Sequence, residues 1–172
     1  MNLAVVAFPE LEADASRWIE AVRETYDPDV RRIAAHFTLV FPFNLRPDDV
    51  YDDIVRVAST TGPFGFDIAR VSIVDSDGTS FLFLVPGTGA PEIEALHGRL
   101  YAGALRTQLR TDLEFTPHMT LGRNPDRHVA EACAERLRAS MPLLSGEIRQ
   151  LDLVDVDRMP VQSIGSFPLN AG

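Results

Sequence analysis

The strongest constraint on this chain is a short pattern that it carries twice. His36-Phe37-Thr38-Leu39 and His118-Met119-Thr120-Leu121 share a histidine, an apolar residue, a threonine and a leucine. They lie 82 positions apart in a sequence with four histidines. In a strand, residues i and i+2 point to the same face. Each histidine then stands beside its threonine, while Phe37 and Leu39, or Met119 and Leu121, turn into a core. In a helix the two polar residues would lie about 200° apart and share no site. Pro117 biases Thr116 toward extended geometry and argues against a helix entering the second copy.

The segments around the two copies repeat as well. Leu3 to Phe8 reads as a buried strand closed by Pro9. Leu11, Ala15, Trp18, Ile19 and Val22 recur at helical spacing as far as about Tyr26, where Asp27-Pro28-Asp29 stops the helix. Pro47 with Asp48 and Asp49 starts another helix, with Val50, Ile54 and Val57 on its buried face. Phe66–Asp75 and Thr79–Pro86 form a hairpin turning at Ser76-Asp77-Gly78. Around the second copy, Ile93, Leu96, Leu100 and Ala104 give one helix a face. Asn124-Pro125-Asp126 caps the next helix, whose core side is Val129, Cys133 and Leu137. Glu147–Asp157 and Val161–Leu169 close the chain as a second hairpin.

Shifting Arg70–Asp75 by 82 lands on Asp152–Asp157, so the hairpins keep the period of the motifs. That period is too long for a solenoid and points to a duplicated half-domain. The expectation is one α+β domain over 1–172, with halves 1–88 and 89–172. These make two pseudo-symmetric lobes of antiparallel sheet flanked by helices, with the two His-x-Thr strands facing each other across a central cleft.

Composition narrows the partners. The formal charge is −9 and the pI about 4.8, which argues against sequence-independent binding along a nucleic-acid backbone. A local basic pocket for one phosphate stays compatible with it, and the charge favours a small or short substrate. All sixteen basic residues are arginine, which we read as codon bias. The single Cys133 makes no internal disulfide and fits a core position in a reducing compartment. The apolar run at the N-terminus is too short for a signal sequence or a membrane span, so a cytoplasmic location is expected.

Two imidazoles near pKa 6.5 supply one protonated and one neutral form near neutral pH, a general acid opposed to a general base. Two threonine hydroxyls add short, stiff donors for non-bridging oxygens. In-line displacement at a phosphodiester needs this positioning and charge stabilisation, with no obligatory metal or cofactor. Two histidines on distant strands fall short of a zinc site, and Asp155 and Asp157 read as solvated hairpin-end carboxylates. No Gly-x-Ser-x-Gly elbow, P-loop or Rossmann fingerprint is present.

The paired motifs, HFTL and HMTL, resemble those of the 2H phosphoesterase superfamily, which includes the bacterial 2′-5′ RNA ligase-like proteins. The resemblance covers nearly the whole chain through the motifs, their separation and the element order. Ala35 stands where many relatives carry proline, whereas Pro117 keeps the pattern. The resemblance implies metal-independent opening of 2′,3′-cyclic phosphates, on nucleotides or RNA 3′ ends, to 2′-phosphates. Some relatives join 2′-5′ linkages in reverse. It makes His36 and His118 the catalytic pair and Thr38 and Thr120 the phosphate holders. We assign His36 as the acid for the leaving 3′ oxygen and His118 as the base for water. Arg123, where similar proteins often carry a basic residue, is a further phosphate contact, although simple alternation points it away from the site. Phe41 or Phe43, with Phe43 preferred, is read as a base-stacking residue. Arg31 and Arg32 read as a solvated pair, and His97 and His128 as bystanders. The reading from another class is a non-catalytic protein that holds a nucleotide or RNA end on the same scaffold, since fold does not fix function.

Overall fold

The computed structural model describes residues 1–170. In chain order the elements are β1 (Leu3–Ala7), β2 (Glu10–Leu11), α1 (Ala13–Tyr26), β3 (Phe37–Phe43), α2 (Pro47–Ser59), β4 (Phe64–Ser76) and β5 (Thr79–Pro86). There follow α3 (Ala90–Leu100), a 3-10 turn (Ala104–Gln108), β6 (Met119–Asn124), α4 (Arg127–Ser140), β7 (Ser145–Ile148), β8 (Gln150–Asp155) and β9 (Gln162–Pro168). The fold is α+β, and the nine strands among the described residues form one curled sheet in the order β2-β7-β4-β5-β6-β3-β1-β8-β9.

Every neighbouring pair is antiparallel. The two motif strands are adjacent at its centre, joined by the single register pair Phe37–Met119. Each flank of the sheet draws on both halves of the sequence. β3 leads through β1 to the β8–β9 hairpin, and β6 leads through β5 and β4 to β7.

One face carries the main core. Phe37, Leu39, Met119 and Leu121 are completely buried there. They pack in one cluster with Ile19, Ile54, Ile93 and Cys133 from the four helices. Burying each large apolar side chain contributes roughly 1.5–3 kcal/mol. On the other face Ala4, Val6 and Val154 form a small cluster with Phe8, Val156 and Val161. The motif alternation thus sends its apolar residues to the helices and leaves the histidines and threonines on the opposite, half-open face.

Several local expectations change. The helix through Ala104 stops at Leu100, and a 3-10 turn buries Leu105 instead. The α4 cap is Asp126, which accepts from His128 N at 2.9 Å, while Asn124 Oδ1 accepts from Asp126 N at 2.8 Å. Pro125 therefore precedes the cap. Val129 is 48% exposed, and Ala130, Cys133, Ala134 and Leu137 form the buried stripe. A break at Arg149 splits the strand expected over Glu147–Asp157 into β7 and β8. Asp155 is buried, not solvated: its Oδ1 accepts from Asp157 N at 3.0 Å and holds the turn after β8. The β4–β5 turn is as read, with Asp77 and Gly78 both at positive φ, which glycine adopts freely.

Candidate active site

Both histidines are held in the same way. His36 Nδ1 lies 2.8 Å from the carbonyl of Ala34, and His118 Nδ1 lies 2.7 Å from the carbonyl of Thr116. A carbonyl only accepts, so in each ring Nδ1 carries the hydrogen and Nε2 is left for the cleft. The Phe37–Met119 register sets the pairs against one another. One step to either side, His36 comes abreast of Thr120 and Thr38 abreast of His118. All four are half-buried. Burial pulls the His36 pKa below the ordinary histidine value. The Arg23 guanidinium and His118 act in the same direction, against the Ala34 carbonyl and Asp27. Burial also lowers His118, opposed by its bond to Thr116.

A β-bulge follows the threonine in both strands. Thr38 and Val40 pair with consecutive residues Val6 and Val5, so Leu39 is extra. Thr120 and Gly122 pair with Phe83 and Leu82, so Leu121 is extra. A bulge reverses the side-chain alternation beyond it. Phe41 thereby turns to the Thr38 face. Arg123, its equivalent 82 residues on, comes opposite Phe81. There its Nη2 pairs with Asp29 at 3.2 Å, both side chains being partly exposed. A second irregularity returns Phe43 to the core opposite Leu3, where it is 3% exposed. Phe43 is therefore a core residue, and Phe41 is the phenylalanine that faces the cleft. Gly122 permits the close approach of α1 to β6, since a Cβ there would lie 2.5 Å from the carbonyl oxygen of Tyr26 at the end of α1.

Beside His118 and Thr120 lies a cavity of about 300 Å³ walled by Phe41, Phe81, Phe83 and Leu113. The Phe83 ring stacks on His118 with centroids 3.5 Å apart and planes 15° apart. Phe8 meets His36 edge-on at 5.9 Å. Phe83 and Phe8 are absent from the motif-based reading. The spacing of Phe81 and Phe83 on alternate positions of β5 was the available signal for the first. Nothing local marks Phe8, which reaches His36 only through the pairing of β1 with β3.

His97, read as a bystander, supports the site. Its Nδ1 donates to the carbonyl of Leu39 at 2.8 Å, and Phe41 N donates to the Tyr101 hydroxyl at 3.2 Å. His97 of α3 and Tyr101 just beyond its end thus satisfy backbone groups of β3 where it diverges from β6. The His97 ring also stacks on Phe115 at 3.7 Å, holding the segment that leads into His118. His128 is at the surface, 3.6 Å from Glu131.

Behind His36, the buried Arg23 pairs with Asp27 at 2.8 Å and donates to the carbonyl of Ile33 at 2.7 Å. This pins the loop between α1 and β3. Arg31 is exposed as expected, whereas Arg32 is half-buried and donates to the carbonyl of Val156 at 2.7 Å. No group of three or more His, Cys, Asp or Glu among the described residues is arranged to hold a metal. No described helix is long and apolar enough to cross a membrane.

Solved structures share this architecture. TT0787 of Thermus thermophilus superposes with a TM-score of 0.68 at 19% identity, covering 100% of this chain and 99% of that one. E. coli LigT complexed with 3′-AMP gives 0.64 at 16% identity, covering 98% and 97%. Usb1 of Kluyveromyces marxianus gives 0.53 at 10% identity, covering 98% and 97%. No curated protein matches by sequence. The family model described as the 2′-5′ RNA ligase superfamily matches residues 9–159, which contain both motif strands. The chain belongs to the 2′-5′ RNA ligase superfamily.

Proposed function

We propose that this protein is a phosphodiesterase that opens 2′,3′-cyclic phosphates of nucleotides or short RNA ends to 2′-phosphates, using His36 and His118 as its acid–base pair. The observation that carries this reading is the matched tautomer of the two rings. Each Nδ1 is occupied by a carbonyl two residues upstream, so each Nε2 is free to take or give a proton. The nucleotide class is supported by E. coli LigT, whose structures hold 3′-AMP, ATP and NADP+.

The aromatic cavity lies on the His118 side and suits a nucleobase, because stacking tolerates any base. In-line displacement puts the leaving ribose oxygen on the nucleoside side of phosphorus and the nucleophile opposite. His118 is then the acid and His36 the base, the reverse of the division expected from the motifs. Water forms the new O–P bond and gives its proton to His36 Nε2. The P–O3′ bond breaks, and O3′ takes the proton from His118 Nε2. Thr38 and Thr120 hold the non-bridging oxygens, whereas Arg123 is engaged by Asp29 and does not line the cavity beside His118. Both proton transfers are supplied by the chain itself, and no metal enters the step.

Incubating 2′,3′-cyclic nucleotides with the protein in EDTA, followed by phosphorus NMR, tests the proposal. The expected product is the 2′-phosphate alone. A 3′-phosphate product, or no turnover on cyclic nucleotides and cyclic-phosphate-ended RNA, contradicts it and favours the binding-protein reading.

A further inference from the structure

The cavity beside His118 carries one group that neither stacking nor proton transfer uses. Its walls are mostly phenylalanine and aliphatic side chains, and Glu114 adds a carboxylate to the lining. Glu114 is exposed, but the chain just beyond it is held in place. The Phe115 ring stacks on His97 with centroids 3.7 Å and planes 9° apart, and the Thr116 carbonyl holds His118 Nδ1 at 2.7 Å. Arg110, the one arginine in the sequence between residues 109 and 117, pairs with Asp112 at 2.6 Å. No cation of this loop is left to neutralise Glu114.

A lone carboxylate repels a phosphate, and the net charge of −9 adds to the effect. Glu114 therefore does not serve the phosphate end of a nucleotide. It does distinguish bases. Stacking on phenylalanine selects none, since every base has a π-face. A carboxylate only accepts hydrogen bonds, and it has two oxygens to accept with. The Watson–Crick edge of guanine presents adjacent N–H donors at N1 and N2, which can engage both oxygens at once. Uracil presents a single donor, at N3. Adenine and cytosine set a ring-nitrogen lone pair beside their amino group, and that lone pair would face the carboxylate.

We infer that Glu114 makes this cavity selective for guanine, accepting from N1–H and from the N2 amino group of a base stacked against the phenylalanine wall. The preferred substrates are then guanosine 2′,3′-cyclic phosphate and RNA ends that terminate in it. The inference rests on the proposed function for the placement of the base beside His118.

The test reads affinity apart from turnover. Guanosine 2′-phosphate and adenosine 2′-phosphate are titrated calorimetrically into the unsubstituted protein, Glu114→Ala and Glu114→Gln. The unsubstituted protein is expected to bind the guanosine compound at least about tenfold more tightly. Glu114→Ala is expected to bring the two affinities close together. The amide of Glu114→Gln offers one acceptor and one donor, which suit the amino group and ring nitrogen of adenine. That variant is expected to lose the guanosine preference or reverse it. A smaller ratio in the unsubstituted protein, no binding of either ligand, or a guanosine preference that either variant keeps overturns the assignment. Opening of the two cyclic nucleotides by the unsubstituted protein is measured separately. Its absence beside a Glu114-dependent affinity ratio refutes the proposed hydrolysis and leaves the selectivity standing. Opening of both with no such ratio refutes the selectivity alone.

Discussion

Each motif histidine is set by one backbone carbonyl and by burial. The carbonyl fixes which nitrogen faces the cleft, and burial favours the uncharged ring, so both pKa values fall below the usual 6.5. In the proposed reaction one ring is protonated and the other neutral. kcat/KM is therefore expected to trace a bell with its maximum on the acid side of pH 6.5. A maximum above pH 7.5 contradicts the lowered values. Gly122 makes a second test at this scale. Its substitution by alanine forces Cβ against the Tyr26 carbonyl and is expected to cost about 1–3 kcal/mol of stability, read from denaturant melts.

The His-x-Thr pairs are legible in the sequence because alternation is a local property. The faces of Phe41, Phe43 and Arg123 are not. They depend on bulges created by pairing with β1 and β5, and no residue within β3 announces the extra position. The same applies to Phe8 and Phe83, whose partners lie on other strands.

Elements explain why the cleft stays open. β3 and β6 share one register pair and then separate, leaving backbone groups of β3 that His97 of α3 and Tyr101 at its C-terminal end satisfy. His97→Ala removes both the bond to Leu39 and the stack on Phe115. The expected loss is about 1–3 kcal/mol, measured by denaturant unfolding. Burial lowers the His97 pKa in the folded protein. Its neutral form thus contributes stability that is fully present above pH 6.5 and is lost as pH falls through the folded-state value. The His97→Phe variant is accordingly expected to lose less stability between pH 7 and pH 5 than the unsubstituted protein. An equal or steeper loss refutes this role. The helical spacing that defines α3 marks its buried face correctly, yet says nothing of what His97 bonds. Its acceptor lies 58 residues away.

At the scale of the whole molecule, the sheet interleaves strands from the two halves of the sequence. The 82-residue register is visible in the motifs and hairpins. The strand order is not, because β1 occupies beside β3 the place that β5 occupies beside β6. At this scale the buried Arg23–Asp27 pair ties α1 to the loop entering β3. Arg23→Met leaves Asp27 buried without its partner, with an expected cost of about 3–5 kcal/mol. The double variant Arg23→Met, Asp27→Leu is expected to recover most of it, as chemical denaturation would register.

In the proposed mechanism the two motif histidines, one from each copy, act as one acid–base unit. The most direct measurement is the rate of 2′,3′-cyclic nucleotide opening in EDTA by the unsubstituted protein, His36→Ala, His118→Ala and the double variant. Each single variant is expected to lose at least about a hundredfold in rate, with little further loss in the double, because the two residues serve one step. Near-native rates in either single variant, or losses that multiply in the double, contradict it.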